Sequence, residues 1–115
     1  GRTPDYYDII ATGDLGKIGK KMTLEMLKEY GYDLSKNYVD CGDIIFDNET
    51  QNTCSGGSGC GCSAVGMCGY FYKRLMKKEI KKLLLISTGA LMSPTSTLQG
   101  ESIPGIAHAV AIEYE

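Results

Sequence analysis

The sequence has one histidine, no surplus of base and no apolar run longer than a handful of residues. Each shortage removes a class of function. Apolar stretches such as 83–87 are far too short to cross a bilayer, which takes roughly 20 consecutive apolar residues, so no transmembrane helix is expected. Fourteen acids against 12 bases give a net charge of -2, whereas a free nucleic-acid binder is usually basic. Cys54, Cys60, Cys62 and Cys68 have no histidine near them, and their spacing matches no common zinc site. No Gly-Lys-Ser/Thr follows a glycine run, and Gly57, Gly59 and Gly61 are wrongly spaced for a dinucleotide fingerprint. Neither a metal nor a cofactor is expected. The chain begins at Gly1 rather than Met, with nothing like a signal peptide beside it, so it reads as an excised fragment or as carrying a tag scar. Five cysteines without such a signal suggest a reducing compartment, and their odd number argues against a disulfide framework.

What remains is ordinary in bulk and uneven in detail. The 115 residues, 43% hydrophobic and 23% charged, suit one α/β domain or part of one. Fifteen glycines, about 13% of the chain against a usual ~7%, are concentrated rather than spread.

Residues 6–12 read as a strand buried on both faces. Asp14 is placed to cap a helix in which Leu15, Ile18, Met22 and Met26 recur at helical spacing, widened by Leu27 and Tyr30. Gly31 suits its left-handed end. Tyr38, Val39, Ile44, Ile45 and Phe46 suggest one or two short strands. A loop from Cys54 to Ala64 holds four glycines and opens a helix over roughly 60–79, with Val65, Cys68, Phe71, Tyr72, Leu75 and Met76 as its apolar content. Residues 83–88 make the best strand, central and parallel. Residues 89–105 read as a Ser/Thr/Gly/Pro-rich loop, and 106–113 as a final strand. In that strand Ile106, His108, Val110 and Ile112 share one face, and Ala107, Ala109 and Ala111 the other.

The resulting order, β-α-β-α-β-β, predicts a mixed, mostly parallel sheet with packed helices. Loops leaving the strand carboxyl ends gather on one edge, where ligands bind. Here that edge collects Thr12–Gly16, residues 55–61 and the stretch from Thr88 onward, three glycine-rich loops.

Two readings of the glycine-rich loop stand side by side. Its free N–H groups at a helix start suit an anion, or its glycines simply allow close packing. Cys60 and Cys62 lie where a thiol pKa tends to fall, though each also suits a tight space, and Cys68 falls on the expected buried side. His108 reads as a hydrogen-bonded core residue, or as half of a Cys–His or Ser–His pair with Cys60 or Ser58. Lys73, Arg74, Lys77, Lys78, Lys81 and Lys82 place half of all bases in ten positions, opposed only by Glu79. They complement a helix dipole or attract an anionic membrane or partner.

The stretches Thr12-Gly13-Asp14-Leu15-Gly16, Gly56 to Ala64, Ser87-Thr88-Gly89-Ala90-Leu91 and Gln99 to Val110 resemble the stage V sporulation protein AD family, thiolase-like proteins of endospore-forming bacteria. They span nearly the whole chain and are specific only together. The resemblance implies a single thiolase-like C-terminal half-domain over 1–115, with helices on a five-stranded mixed sheet. It implies binding of dipicolinic acid, a planar dicarboxylate, and support for its uptake into the developing spore at the cytoplasmic face of the spore inner membrane. Implied partners are the N-terminal half of the same chain, other stage V sporulation proteins of the same operon and a second copy.

Condensing enzymes of the thiolase-like group carry a His where this sequence has Gly13, and a His or Asn where it has Ser58. Their nucleophilic Cys belongs to the other half, and no Cys-glycine motif is recognisable near 88–106. The resemblance therefore implies a binding scaffold without condensing chemistry, its contacts being Gly13, Asp14, Ser58, Gly59, Cys60, Thr88 and Gly89. The alternatives are an acyltransferase using thioesters through Cys60 or His108, and a structural module whose basic 73–82 segment meets a partner or membrane.

Overall fold

The structure, a computed structural model, describes residues 1–90 and 93–114; Leu91 of the 87–91 motif and Met92 lie outside them. The architecture is α/β. Strands β1 (Ile9–Thr12), β2 (Tyr38–Asp40), β3 (Lys82–Ala90) and β4 (Gly105–Glu113) form one sheet in the order β2-β1-β3-β4. β1 runs parallel to both β2 and β3, while β4 returns antiparallel to β3 through nine register pairs from Lys82↔Glu113 to Ala90↔Gly105. The expected mixed, mostly parallel sheet is present, with four strands among the described residues.

Helix α1 (Gly16–Glu29) covers one face of the sheet, where Leu24 and Leu27 pack on the cluster of Ile10, Leu34 and Tyr38. The other face carries a helical run made of α3 (Cys62–Gly66), a π turn (Met67–Phe71) and α4 (Tyr72–Met76). Cys62, Phe71 and Leu75 from that run join Ile9, Ala11, Cys41, Ile80 and Leu83 in the larger core.

Several local expectations are corrected. The first strand begins at Ile9, because Pro4 opens a short 3-10 turn (Pro4–Tyr6). Asp8 then accepts from the N–H groups of Lys81 and Lys82 and fixes the start of β3 beside β1. Residues 44–46 form no strand: Asp40 caps α2 (Cys41–Ile44) by accepting from Asp43 N. The 89–105 stretch is not a plain loop, since β3 runs to Ala90 and α5 (Pro94–Leu98) follows, capped by Ser93. Ile18, Met22 and Met26 do not face the core but are 66, 56 and 56% exposed. α1 uses the neighbouring Leu24–Leu27 side instead. Gly31, at φ +85°, ends α1 in the left-handed conformation as expected.

The long helical run contains the most instructive departure. Its buried positions are Cys62, Gly66, Phe71 and Leu75, a spacing of four, five and four. The five-residue step falls on the π turn, which adds one residue and keeps the apolar side on the sheet. Uninterrupted four-residue steps from Cys62 and Gly66 would bury Tyr70, which is instead exposed; Cys68, expected on the buried side, is exposed as well.

One buried carboxylate ties these parts together. Asp40, with no exposed surface, accepts from Thr12 Oγ1 at 2.6 Å, Gly16 N at 2.8 Å, Leu15 N at 3.0 Å and Asp43 N at 3.2 Å. Thr12 gives its one hydroxyl hydrogen to Asp40, so Tyr38 OH, 2.8 Å from Thr12 Oγ1, donates to it, and burial raises the Tyr38 phenol above its ordinary value. The replacement Asp40→Ala leaves these donors without an acceptor and is expected to cost ~3 kcal/mol. Urea denaturation checks this, and a loss below ~1 kcal/mol would contradict the assignment.

Candidate functional site

The carboxyl edge of the sheet carries an open cleft of about 780 Å³ lined by Asp14, Leu15, Ser58, Gly59, Cys60, Thr88, Gly89, Ala90, Gly105, Ile106 and Ala107. Six of the seven residues expected from sequence therefore meet there. Gly13 lies just beneath, buried, and a Cβ built on it would sit 2.7 Å from Thr88 Oγ1 and 2.9 Å from Thr88 N. Sequence reasoning missed the wall formed by Gly105, Ile106 and Ala107. The antiparallel return of β4 puts Gly105 opposite Ala90 and Ile106 opposite Gly89. An apolar strand following a returning loop was the available signal.

Asp14 is not the side-chain cap of α1. The helix has no such cap at Leu15, and its first N–H groups are satisfied from elsewhere. Asp40 accepts from Leu15 and Gly16, Ser55 O accepts from Lys17 at 2.7 Å, and Ser55 Oγ accepts from Ile18 at 3.2 Å. The approach of Ser55 requires Gly16, whose φ is +67° and whose added Cβ would lie 2.5 Å from Ser55 O. The start of α1 is thus closed by the protein itself.

Freed from capping, Asp14 joins the three loops. It accepts from Thr88 Oγ1, from Gly59 N at 3.1 Å and from Ser58 Oγ at 3.3 Å. Partial burial pushes its carboxyl pKa up, but the three hydrogen bonds outweigh that and hold it below the ordinary value. The cleft floor therefore carries a fixed negative charge at neutral pH. Donors expected to meet an external carboxylate already serve an internal one.

The glycine-rich loop resolves residue by residue. Gly56, Gly57 and Gly42 are packing glycines: Gly57 N donates to Gly42 O at 2.7 Å, and a side chain at any of the three would collide with its neighbours. A Cβ added at Gly59 or Gly61 would meet nothing within 4 Å and would enter open space.

The cysteines divide differently from expectation. Cys54, Cys60 and Cys68 are exposed; Cys41 and Cys62 are buried. Burial, followed by the influence of Cys62, Asp40 and Asp14, pushes the Cys41 thiol up to about 12. Burial, then Asp14 and Asp40, also raises Cys62, the reverse of the fall expected at a helix start. His108 is exposed on β4 opposite Ser87, outside the cleft lining. It is not a core residue. Among the described residues its ring makes no hydrogen bond to Cys60 or Ser58, and no group of three or more His, Cys, Asp or Glu could hold a metal.

A family model described as Stage V sporulation protein AD matches residues 1–113. Stage V sporulation protein AD of Bacillus subtilis (strain 168) is 43% identical over 112 residues, which are 97% of this chain and 33% of that relative. The chain spans about a third of that protein's length.

Two outcomes follow from the site geometry. A thiol reagent under native conditions should modify three cysteines quickly, with Cys41 and Cys62 reacting only on unfolding; fast labelling of Cys41 would contradict the packing. Carbon NMR should find the Asp14 carboxyl titrating below the usual carboxylate range, and Thr88→Val should move it upward. Because the folded pKa is depressed, the stapling contribution of Asp14 is full above the unfolded value and lost as pH falls through the folded one.

Proposed function

The chain belongs to the stage V sporulation protein AD family, and on that premise we propose that it acts in sporulation as a non-catalytic, thiolase-like half-domain. In this reading it binds dipicolinic acid and supports its uptake into the developing spore.

The observation that carries the reading is the cleft formed by three converging loops, together with the packing of Thr88 over Gly13. A condensing enzyme of this type needs a histidine at that position. Here the space its first side-chain carbon would take is filled by Thr88, and Ser58 donates to Asp14 rather than acting as a base.

A planar aromatic dicarboxylate suits the cleft in two respects. Leu15, Ile106 and Ala107 offer an apolar wall to a ring face. The Gly59–Gly61 segment, bordering open space, offers backbone polarity at one end. The charge on Asp14 turns the ligand's carboxylates away from the floor and so sets its orientation. The contacts in this reading are Asp14, Ser58, Gly59, Cys60, Thr88 and Gly89, with Gly13 as the support beneath them.

The partners are the rest of the same chain, other stage V sporulation proteins of the same operon and a second copy. Supporting surfaces are the exposed Ile18, Met22 and Met26 on α1 and Ile106 and Val110 on β4. The site of action is the cytoplasmic face of the spore inner membrane, as a peripheral protein. No helix among the described residues is long and apolar enough to cross a membrane.

Titrating dipicolinate into the intact protein should shift the amide resonances of Gly59, Cys60, Thr88 and Gly89. Asp14→Asn, which removes a like charge from the floor, should tighten binding about tenfold. No shift at any of the four amides would overturn the reading. The exposed Cys60 thiol on the cleft wall is the one observation favouring acyl transfer instead. Incubation with acyl-CoA and intact mass spectrometry separates the two: an adduct absent in Cys60→Ala supports transfer, and no adduct supports binding alone.

A further inference from the structure

The basic segment at 73–82 lies toward the opposite edge of the sheet from the cleft, leading into the amino end of β3. Six bases and one acid give these ten residues a charge of +5, so the other 105 residues carry -7. The bases are not equivalent. Lys78 sits 5.1 Å from the ring centroid of Tyr114, and Lys82 sits 3.9 Å from that of Tyr6, so both cations already meet aromatic faces. Arg74 is held by Glu79 at 3.2 Å and lies 3.2 Å from Tyr70 OH, to which it donates. Lys73 and Lys77 have no carboxylate within ion-pair distance among the described residues.

Lys73 and Lys77 line a shallow pocket of about 440 Å³ together with Gly69, Tyr70, Arg74 and Glu79. Two features of the helix shape it. The π turn ends at Phe71 and adds one residue there, so Gly69, Lys73 and Lys77 follow one another at four-residue steps on the outer side while Phe71 and Leu75 stay on the core side. A π turn inserted in a helix recurs at functional sites. Gly69 is the second feature: a side chain there would meet nothing within 4 Å. Glycine within a helix costs up to ~1 kcal/mol relative to alanine, and the protein's own packing does not demand it at this position. Its effect is to leave the pocket lining bare one turn before Lys73.

We propose that this pocket binds a phosphate-bearing anion, with Lys73 and Lys77 as its charge contacts and Arg74, fixed by Tyr70 and Glu79, as the oriented cation beside them. Glu79 is paired with Arg74, so that pair adds no net charge, Arg74 contributes only oriented N–H donors, and the attraction rests on Lys73 and Lys77. Two ammonium groups one helical turn apart suit the doubly charged oxygens of a phosphate monoester, or the phosphates of an anionic lipid surface met edge on. The site does not depend on the cleft reading.

The test uses the intact protein with two probes at low salt, inorganic phosphate and vesicles of phosphatidylglycerol, with phosphatidylcholine vesicles as the neutral comparison. Phosphate is expected to shift the amides of Gly69, Tyr70 and Lys73, or the anionic vesicles to sediment the protein. Either response should fall at least tenfold in the double variant Lys73→Gln/Lys77→Gln and weaken as salt shortens the screening length. A response to phosphate assigns a soluble phosphate ester; a response to the anionic vesicles alone assigns lipid headgroups. Asp14→Asn, which alters the cleft, should leave both unchanged, so failure here and failure of dipicolinate binding are separately visible. Circular dichroism of the double variant should match the parent, since both lysines are exposed. Absence of binding to both probes, or equal binding by the double variant, overturns the proposal.

Discussion

The carboxylate of Asp40 is the constraint on which the arrangement rests. It has no exposed surface, and it accepts from the end of β1, the start of α1 and the first turn of α2. A buried charge is tolerated only when its hydrogen-bonding capacity is filled. Filling it here fixes the turn from Thr12 to Gly16, and that turn delivers Gly13 and Asp14 to the sheet edge. Because Asp40 and Ser55 together close the start of α1, Asp14 need not cap the helix. It reaches across to Thr88, Ser58 and Gly59 instead. The cleft is the outward expression of a polar network seated below it.

The two charged regions are accordingly separated along the molecule. Asp14 gives the carboxyl edge a negative floor. The bases of 73–82 gather toward the other edge, where several are held by Tyr6, Tyr70, Tyr114 and Glu79. A nearly neutral total hides this division. Net charge alone argues about solubility and long-range attraction, whereas its distribution decides which end of a molecule meets an anion.

Much of the frame was legible in the sequence because local pattern and tertiary role agree. The apolar run at 83–88, the alternation in 106–113 and the glycine at 31 each became the expected strand or helix end. The convergence of the three loops followed from the order of elements. What escaped depended on partners distant in sequence. Ile18, Met22 and Met26 have helical spacing, yet the sheet is met by the adjacent Leu24 and Leu27, and the helix's own period cannot say which of two apolar sides is covered. Ile44 and Phe46 have strand-like side chains but follow Asp40, whose capping bond starts a helix. The step from Gly66 to Phe71 is five residues long because of the π turn at Met67–Phe71, and Cys68 within that turn is exposed. The side chains facing Asp14 come from residues more than forty positions away, and no local propensity records them.

The last strand has an implication for how this sequence can change. β4 pairs with β3 along nine residues without a bulge and ends the described sheet. Its two faces differ sharply in bulk, with Ile106, His108, Val110 and Ile112 on one side and three alanines on the other. Because side chains alternate strictly along a strand, inserting or deleting one residue near its middle would exchange bulky and small faces over half its length. Ile112 would leave the core it touches, and Ala111 after an insertion, or Glu113 after a deletion, would take its place. Substitution is therefore a far gentler route of divergence for β4 than any change in length, and the stretch between α5 and Gly105 is where length variation can accumulate.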